Sequence, residues 1–398
     1  MKNYDLITPE GTKDYLFGEC IVIRDIEDTL IHLFKSHGYS EMITPGLEFY
    51  DVFNLNSRYF PQENLYKLTD SKGRLLVMRP DTTMPVARVV ATRLRDAMLP
   101  LKLFYNQTVY RTEPALKGRS DEIVQTGIEL IGSQLKMADL EVISTAVESL
   151  KSFGMEFSLE IGHIGIFKEL VDKLEVSDKT KEKIRMLIET KNFPALNDLL
   201  DSLGNNSVTN ALKSLPALFG GEEVFEKAEE IMPDENIKRL LDELREIYCD
   251  AAEICGNDGE ITVDLGLVNK TDYYTGIIIK GYLQGHGEEV ISGGRYDKLI
   301  SEFGYDIPAV GFAVNINAVA KVIEKNGVIP AMPRIDAVVY AEEGFEVAAL
   351  KTAQELREQG LVVENALFDD LETVRNYAKD KKIPKVVVIN SDDRRAEE

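Results

Sequence analysis

The chain has 398 residues, 44% hydrophobic and 29% charged, with a formal net charge of −22. That length fits two or three domains, and the balance is that of a globular protein rather than a disordered or collagen-like one. No apolar run nears the ~18 residues that cross a bilayer, the opening "MKNYDLITPEGTKDY" lacks the apolar core of a signal peptide, and the negative field opposes the phosphate neutralisation on which nucleic-acid binding depends. No membrane, a cytoplasmic location and no tRNA partner are the expectations. Cys20, Cys249 and Cys255 form neither a CxxC nor a Cys/His cluster. They read as buried or inert thiols in a reducing cytosol, with no metal.

Residues 19–38 predict an amphipathic helix, with Ile23, Ile26, Leu30, Leu33 and Phe34 at helical spacing and Gly38 as its stop. "NLYKLTD" and "LLVMRPDTT", joined by "SKGR", predict a hairpin. "LKLFYNQTVYRT" and "EIVQTGIELIG" predict two more strands around the loop "EPALKGRSD", and a helix follows over 137–153. Residues 165–255 alternate charged helical segments with short breaks and predict a helical insertion, either a solvated cap or a functional lid. "ITVDLGLVN", "YYTGIIIKGYLQ" and "GEEVISGGRYD" return to strand, and 311–326 reads as helix. Residues 326–334 read as a linker. The rest alternates strands at "IDAVVYA", "LVVEN" and "KVVVIN" with helices over 345–359 and 370–381, a small α/β domain at 335–398.

The strand "EIVQTGIELIG" is the most informative. Side chains alternate faces along a strand, so Val124, Thr126, Ile128 and Leu130 share an apolar face while Gln125, Gly127 and Glu129 share the other. A glycine between an amide and an acid leaves room for something to approach the sheet; the alternative is plain solvent exposure. "MRPDTT" adds Arg79, Asp81 and two threonines, "YRTEP" adds Arg111 and Glu113, and "SGGRYD" adds two glycines and Arg295. Arg79 and Arg295 also suit structural ion pairs. A small zwitterion would place its amino group by Asp81, Gln125 and Glu129 and its carboxylate by Arg111.

Eight segments in order, "GTKDYL", "TPGLE", "RPDTT", "YRTEPALKGR", "QTGIELIG", "LVNKTDYYTG", "SGGRYDKL" and "PAVGFAV", resemble the core of class II histidyl-tRNA synthetases. The resemblance covers about 5–325 and, more weakly, the C-terminal piece, which is similar to part of an anticodon-binding domain. It implies an α+β fold: a class II aminoacyl-tRNA synthetase-like antiparallel sheet of six strands flanked by helices, with the helical insertion and the small C-terminal α/β domain. It also implies a dimer through the first class II motif, to which Pro45 belongs. By the same resemblance Asp81, Thr83, Arg111, Gln125, Glu129, Tyr273 and Tyr274 would hold L-histidine. Asp81 is shorter than the synthetase glutamate.

The pattern breaks where the synthetases hold ATP. Asn269 and Ala318 stand at the positions of two arginines that act on the α- and γ-phosphates, and Asp121 and Glu122 make the motif-two loop acidic. Losing one preorganised electrostatic group costs about 10²–10³ in rate. A pocket that keeps histidine and discards ATP chemistry is a sensor. In this the chain resembles the regulatory subunits of short-form ATP phosphoribosyltransferase. That resemblance implies a non-catalytic chain with no cofactor, a homodimer within a cytoplasmic hetero-octamer containing the short catalytic subunit. It would be required for activity and carry histidine feedback at the first step of histidine biosynthesis. A working histidyl-tRNA synthetase, or a paralogue acting on another amino acid, are the alternatives.

Overall fold

The computed structural model describes residues 4–54, 60–112, 120–256, 260–268, 273–327, 334–390 and 396–397. Chain contacts divide it into two compact units, 1–328 and 329–398. In chain order the strands of the first unit are β1 (Ser40–Glu41), β2 (Leu47–Phe49), β3 (Lys67–Thr69), β4 (Leu75–Met78), β5 (Leu101–Tyr110), β6 (Glu122–Ile131), β7 (Phe157–His163), β8 (Phe219–Gly220), β9 (Ile261–Asp264), β10 (Ile277–Leu283), β11 (Ile291–Arg295) and β12 (Ala309–Asn315). Among the described residues they form a large sheet, in the order β1-β5-β6-β12-β11-β10-β7-β9-β8, and a small sheet, β2-β4-β3. The run from β5 to β7 is antiparallel throughout. This is the six-stranded core expected of the class; parallel pairs β1–β5 and β7–β9 widen it.

One face of the sheet is the core. Phe104, Ile128 and Phe312 sit directly opposite one another on β5, β6 and β12, so they share a face. Phe34 of helix Gly18–Ser36 meets both phenylalanine rings, with centroids at 6.2 and 5.9 Å. That helix buries Val22, Ile23, Ile26, Leu30 and Phe34, the three-and-four spacing read from the sequence. Helix Lys136–Ser152 lies on the same side, Leu150 reaching the space beside Gly281 and Ile291.

Three segments depart from expectation. The helix expected over 311–326 begins only at Ile316, after β12. Val310, Phe312 and Val314 are buried on one side and Gly311 is covered on the other, and a strand buried on both faces shows no alternation to read. The hairpin's second strand, expected over 75–83, ends at Met78, and helix Thr83–Thr92 just after it was not expected; its Val86, Val89 and Val90 are poor helix formers and masked it. Strand β7 was missed altogether. The insertion folds as six helices, from Ile164–Asp172 to Glu235–Cys255, but it also sends β8 back to the sheet edge.

The second unit contributes β13 (Ala337–Ala341), β14 (Val363–Asn365), β15 (Val386–Ile389) and β16 (Ala396–Glu397), in the order β14-β13-β15-β16. Alternate strand residues sort onto two helices. Ala337, Val339, Val387 and Ile389 pack with Ala349 and Ala353 of helix Glu346–Glu358. Val338, Val386 and Val388 pack with Val374 and Ala378 of helix Leu371–Lys381. Most of the expected linker, 328–333, lies outside the described residues.

Candidate functional site

Strand pairing places the site on the sheet face opposite Phe104 and Ile128. One cross-strand row runs Leu103, Glu129, Gly311, Gly294; the next runs Tyr105, Gly127, Ala313, Ser292. Glu129 is 2% exposed. It can lie flat across the sheet because Gly311, its neighbour on β12, has no side chain: a Cβ there would collide with its Oε2 and with the Ile128 carbonyl. The gap at Gly127 is not open for a ligand, as its sequence context suggested. The Tyr105 hydroxyl fills it, 2.6 Å from where a Cβ would stand.

Glu129 is held by hydroxyls. Thr83 Oγ1 donates to its Oε1 at 2.8 Å and Tyr296 donates to its Oε2 at 2.5 Å. Burial drives its pKa up to about 8, against the pull of those two bonds, and the nearby Asp81 charge adds to the rise. Asp81 is itself buried. It accepts the Met84 N–H at 2.9 Å at the start of helix Thr83–Thr92. Burial raises its pKa while Arg111, with Nη2 3.8 Å from Oδ2, pulls it down. Arg111 Nε donates to the Pro80 carbonyl at 2.5 Å. The rings of Tyr273 and Tyr274 meet edge-on at 4.8 Å, and Tyr273 meets Tyr296 at 5.7 Å. Burial raises the hydroxyl pKa of Tyr105, Tyr273, Tyr274 and Tyr296, so all four stay protonated donors at neutral pH.

The structure thus brings together Asp81, Thr83, Arg111, Glu129, Tyr273 and Tyr274. Gln125 shares their sheet face but lies four residues along β6, half-buried, opposite Gln107 and Asn315. Arg79 and Arg295 belong elsewhere. Arg79 ties strand ends, donating to the carbonyls of Thr108 and Thr44 at 2.7 Å and to the Gln107 side chain. Arg295 faces the other side of the sheet in a buried pair with Asp139 at 2.8 Å. Asn269, Asp272, Glu113 and Arg119 lie outside the described residues. Sequence reasoning missed Tyr105, Ser292 and Tyr296. Tyr105 was findable in principle, as the aromatic directly opposite Gly127, the glycine on the polar face of β6.

Chemically, among the described residues the site holds two buried carboxylates, four tyrosine hydroxyls and, beside Asp81, the Arg111 guanidinium. Such a site suits a small ligand that carries a cationic or N–H-bearing end and an anionic end. Ala318 stands buried in the first turn of helix Ile316–Lys325, its N–H capped by Asn315 Oδ1 at 3.1 Å. The same turn is tied to β6 by Asn317, whose Oδ1 accepts the Val124 N–H at 2.7 Å and whose Nδ2 donates to the Tyr15 hydroxyl at 2.6 Å. Among the described residues no group of three His, Cys, Asp or Glu side chains is placed to hold a metal, and no helix is long and apolar enough to cross a membrane.

Fold and site together define a class II histidyl-tRNA synthetase-like protein. The histidyl-tRNA synthetase family model matches residues 11–319. A histidyl-tRNA synthetase from Nostoc superimposes with a TM-score of 0.78 at 22% identity, covering 97% of this chain and 92% of that one. Within that class the likeness is narrower. The ATP phosphoribosyltransferase regulatory subunit of Clostridium kluyveri is 43% identical over 387 residues, 96% of this chain and 99% of the relative; that of Clostridium acetobutylicum is 39% identical over 391 residues, 97% and 96%. A solved structure from Bacillus halodurans, described as an ATP phosphoribosyltransferase regulatory subunit/histidyl-tRNA synthetase, has a TM-score of 0.84 at 29% identity, covering 98% of this chain and 100% of that one. The chain belongs to the ATP phosphoribosyltransferase regulatory subunit family, as its departures from the synthetase pattern implied, while its eight ordered segments implied the synthetase-like core.

Proposed function

We propose that the chain is the non-catalytic, histidine-sensing subunit of a short-form ATP phosphoribosyltransferase. It is required for activity of the catalytic subunit and carries feedback at the first step of histidine biosynthesis. The observation that carries this reading is the pairing of Glu129, buried and held by two hydroxyls, with an Asp81–Arg111 pair in the same pocket. Glu129 and the tyrosines suit the imidazole, Asp81 and Thr83 the ammonium, and Arg111 the carboxylate; Gln125, four residues along the same face, completes the proposed set. The buried Ala318, in place of a phosphate-binding arginine, supports loss of adenylation. The acidic balance of the chain supports the absence of tRNA.

A homodimer within a cytoplasmic hetero-octamer is the proposed assembly. The small sheet supports the dimer: Leu47 and Phe49 on β2 and Leu68 on β3 share one face and are 47%, 43% and 36% exposed, an apolar strip beside the Pro45 motif that another protein surface would cover. We further propose that the second unit is a reduced anticodon-binding-like domain, with 1–325 as the synthetase-like core.

Titration of the purified chain with L-histidine in a calorimeter is expected to show saturable binding, while an ATP–pyrophosphate exchange assay shows no histidine-dependent turnover. The organism's short catalytic subunit should co-purify with the chain and depend on it for activity. Robust exchange would establish a working synthetase in its place.

A further inference from the structure

The reading above gives the helical insertion no role, yet its first helix is tied to the pocket. Helix Ile164–Asp172 grows directly out of β7. Its Ile164 N–H donates to the Gly276 carbonyl at 3.1 Å, and Lys168 Nζ donates to the Tyr274 carbonyl at 2.8 Å. His163 caps the helix, its Nδ1 accepting the Gly165 N–H at 3.1 Å. Burial, with Lys168 adding to it, pushes that imidazole down to about 4 and keeps it a neutral acceptor. From the other side the Thr275 N–H donates to the Arg295 carbonyl at 2.7 Å, and the Asp297 N–H donates to Thr275 Oγ1 at 2.9 Å. Residues 273–276 therefore sit between two partners. Their tyrosine rings enter the pocket, while the carbonyls of 274 and 276 are held by the insertion.

We infer that Lys168 is the positioning residue through which occupancy of the tyrosine pair reaches the helical insertion, making the insertion the responding element of the sensor. This rests on the pocket being the histidine site proposed above. A ligand that fixes the Tyr274 ring also fixes its main-chain carbonyl, which is the acceptor that orients the Lys168 ammonium. The bond is charge-assisted and so among the stronger ones available. Lys168 lies in the second turn of a helix that packs on helices Ser207–Ser214 and Glu235–Cys255, so a change at the carbonyl moves or stiffens packed elements rather than a free loop. Transmission requires that the ligand favour one arrangement of the tie over another.

Hydrogen exchange on the full chain, with and without L-histidine, tests this in the wild type, Lys168→Met and Lys168→Arg. In the wild type, histidine is expected to slow exchange in peptides from both 273–276 and 164–172. In Lys168→Met the tyrosine peptide stays protected and the helix peptide does not, with affinity for histidine about fivefold weaker, the low end of ordinary site coupling. Lys168→Arg restores both. A wild-type helix indifferent to histidine while the tyrosine peptide responds overturns the inference, as does full helix protection in Lys168→Met. If no peptide responds in the wild type, the ligand assignment itself fails and this inference with it.

Discussion

Replacing Glu129 with alanine is expected to weaken histidine binding about a hundredfold or more. The carboxylate is buried and takes a hydroxyl on each oxygen, so its removal strands the Thr83 and Tyr296 donors and any ligand N–H together. Removing one partner of a buried charged pair costs about 3–5 kcal/mol, and each ~1.4 kcal/mol is tenfold in affinity. Glu129→Gln keeps the volume but loses the charge and turns one of the two acceptor oxygens into an N–H donor, so affinity should fall by at least ~10-fold. The same calorimetry reads the proton. A carboxyl whose pKa is pushed up from 4.5 to about 8 is largely protonated in the empty pocket at neutral pH. Pairing with a ligand N–H releases that proton, so affinity should rise between pH ~7 and ~8, above the imidazole's own titration range. Buffers of different ionisation heat would register the release. An unchanged dissociation constant in both variants would remove Glu129 from the site.

Arg295→Met should be the most destabilising single change away from the pocket. Its guanidinium meets Asp139 at 2.8 Å, with side-chain exposures of 9% and 7%, and also donates to the Ser133 carbonyl at 3.1 Å. Without it Asp139 is a buried acid beside Asp297, and the expected loss is about 3–5 kcal/mol. Burial already lifts Asp139 from 3.8 to about 6 despite the arginine. The folded state therefore holds its proton more tightly than the unfolded chain, and stability falls as pH rises through that interval. Losing Arg295 raises the folded pKa further. The variant's deficit should be small near pH ~5, grow above pH ~6, and be partly repaired by adding Asp139→Asn. Urea titrations across that range measure it; a loss below ~1 kcal/mol at neutral pH, the scale of a surface pair, would contradict this account.

Much of the sheet was legible because it alternates. Strand β6 gave up both faces on sight, and the first helix showed its buried stripe. What resisted reading was buried on every side or stood next to a stronger signal. Strand β12 has no polar face to betray its period, and helix Thr83–Thr92 is rich in valine and follows a genuine strand. The site was legible where a residue type is unusual in its context, as with Glu129 sharing a strand face with Gln125 and Gly127. It was illegible where identity depends on what lies across the sheet. Arg295 and Tyr296 are neighbours in sequence, yet one faces Asp139 and the other faces Glu129. Only the pairing of β11 with β12 separates a structural side chain from a pocket one.

The cluster of Tyr105, Tyr273, Tyr274 and Tyr296 around one carboxylate has an optical consequence. The chain has 16 tyrosines and no tryptophan, so its near-ultraviolet absorption and emission come from phenols, with no indole to drown them. Four of those 16 phenols are buried around Glu129, two of them in edge-on contact with a third, and burial keeps all four un-ionised well into alkaline solution. A molecule bound beside that cluster would change the polarity around a quarter of the protein's chromophores at once. The pocket is its own label.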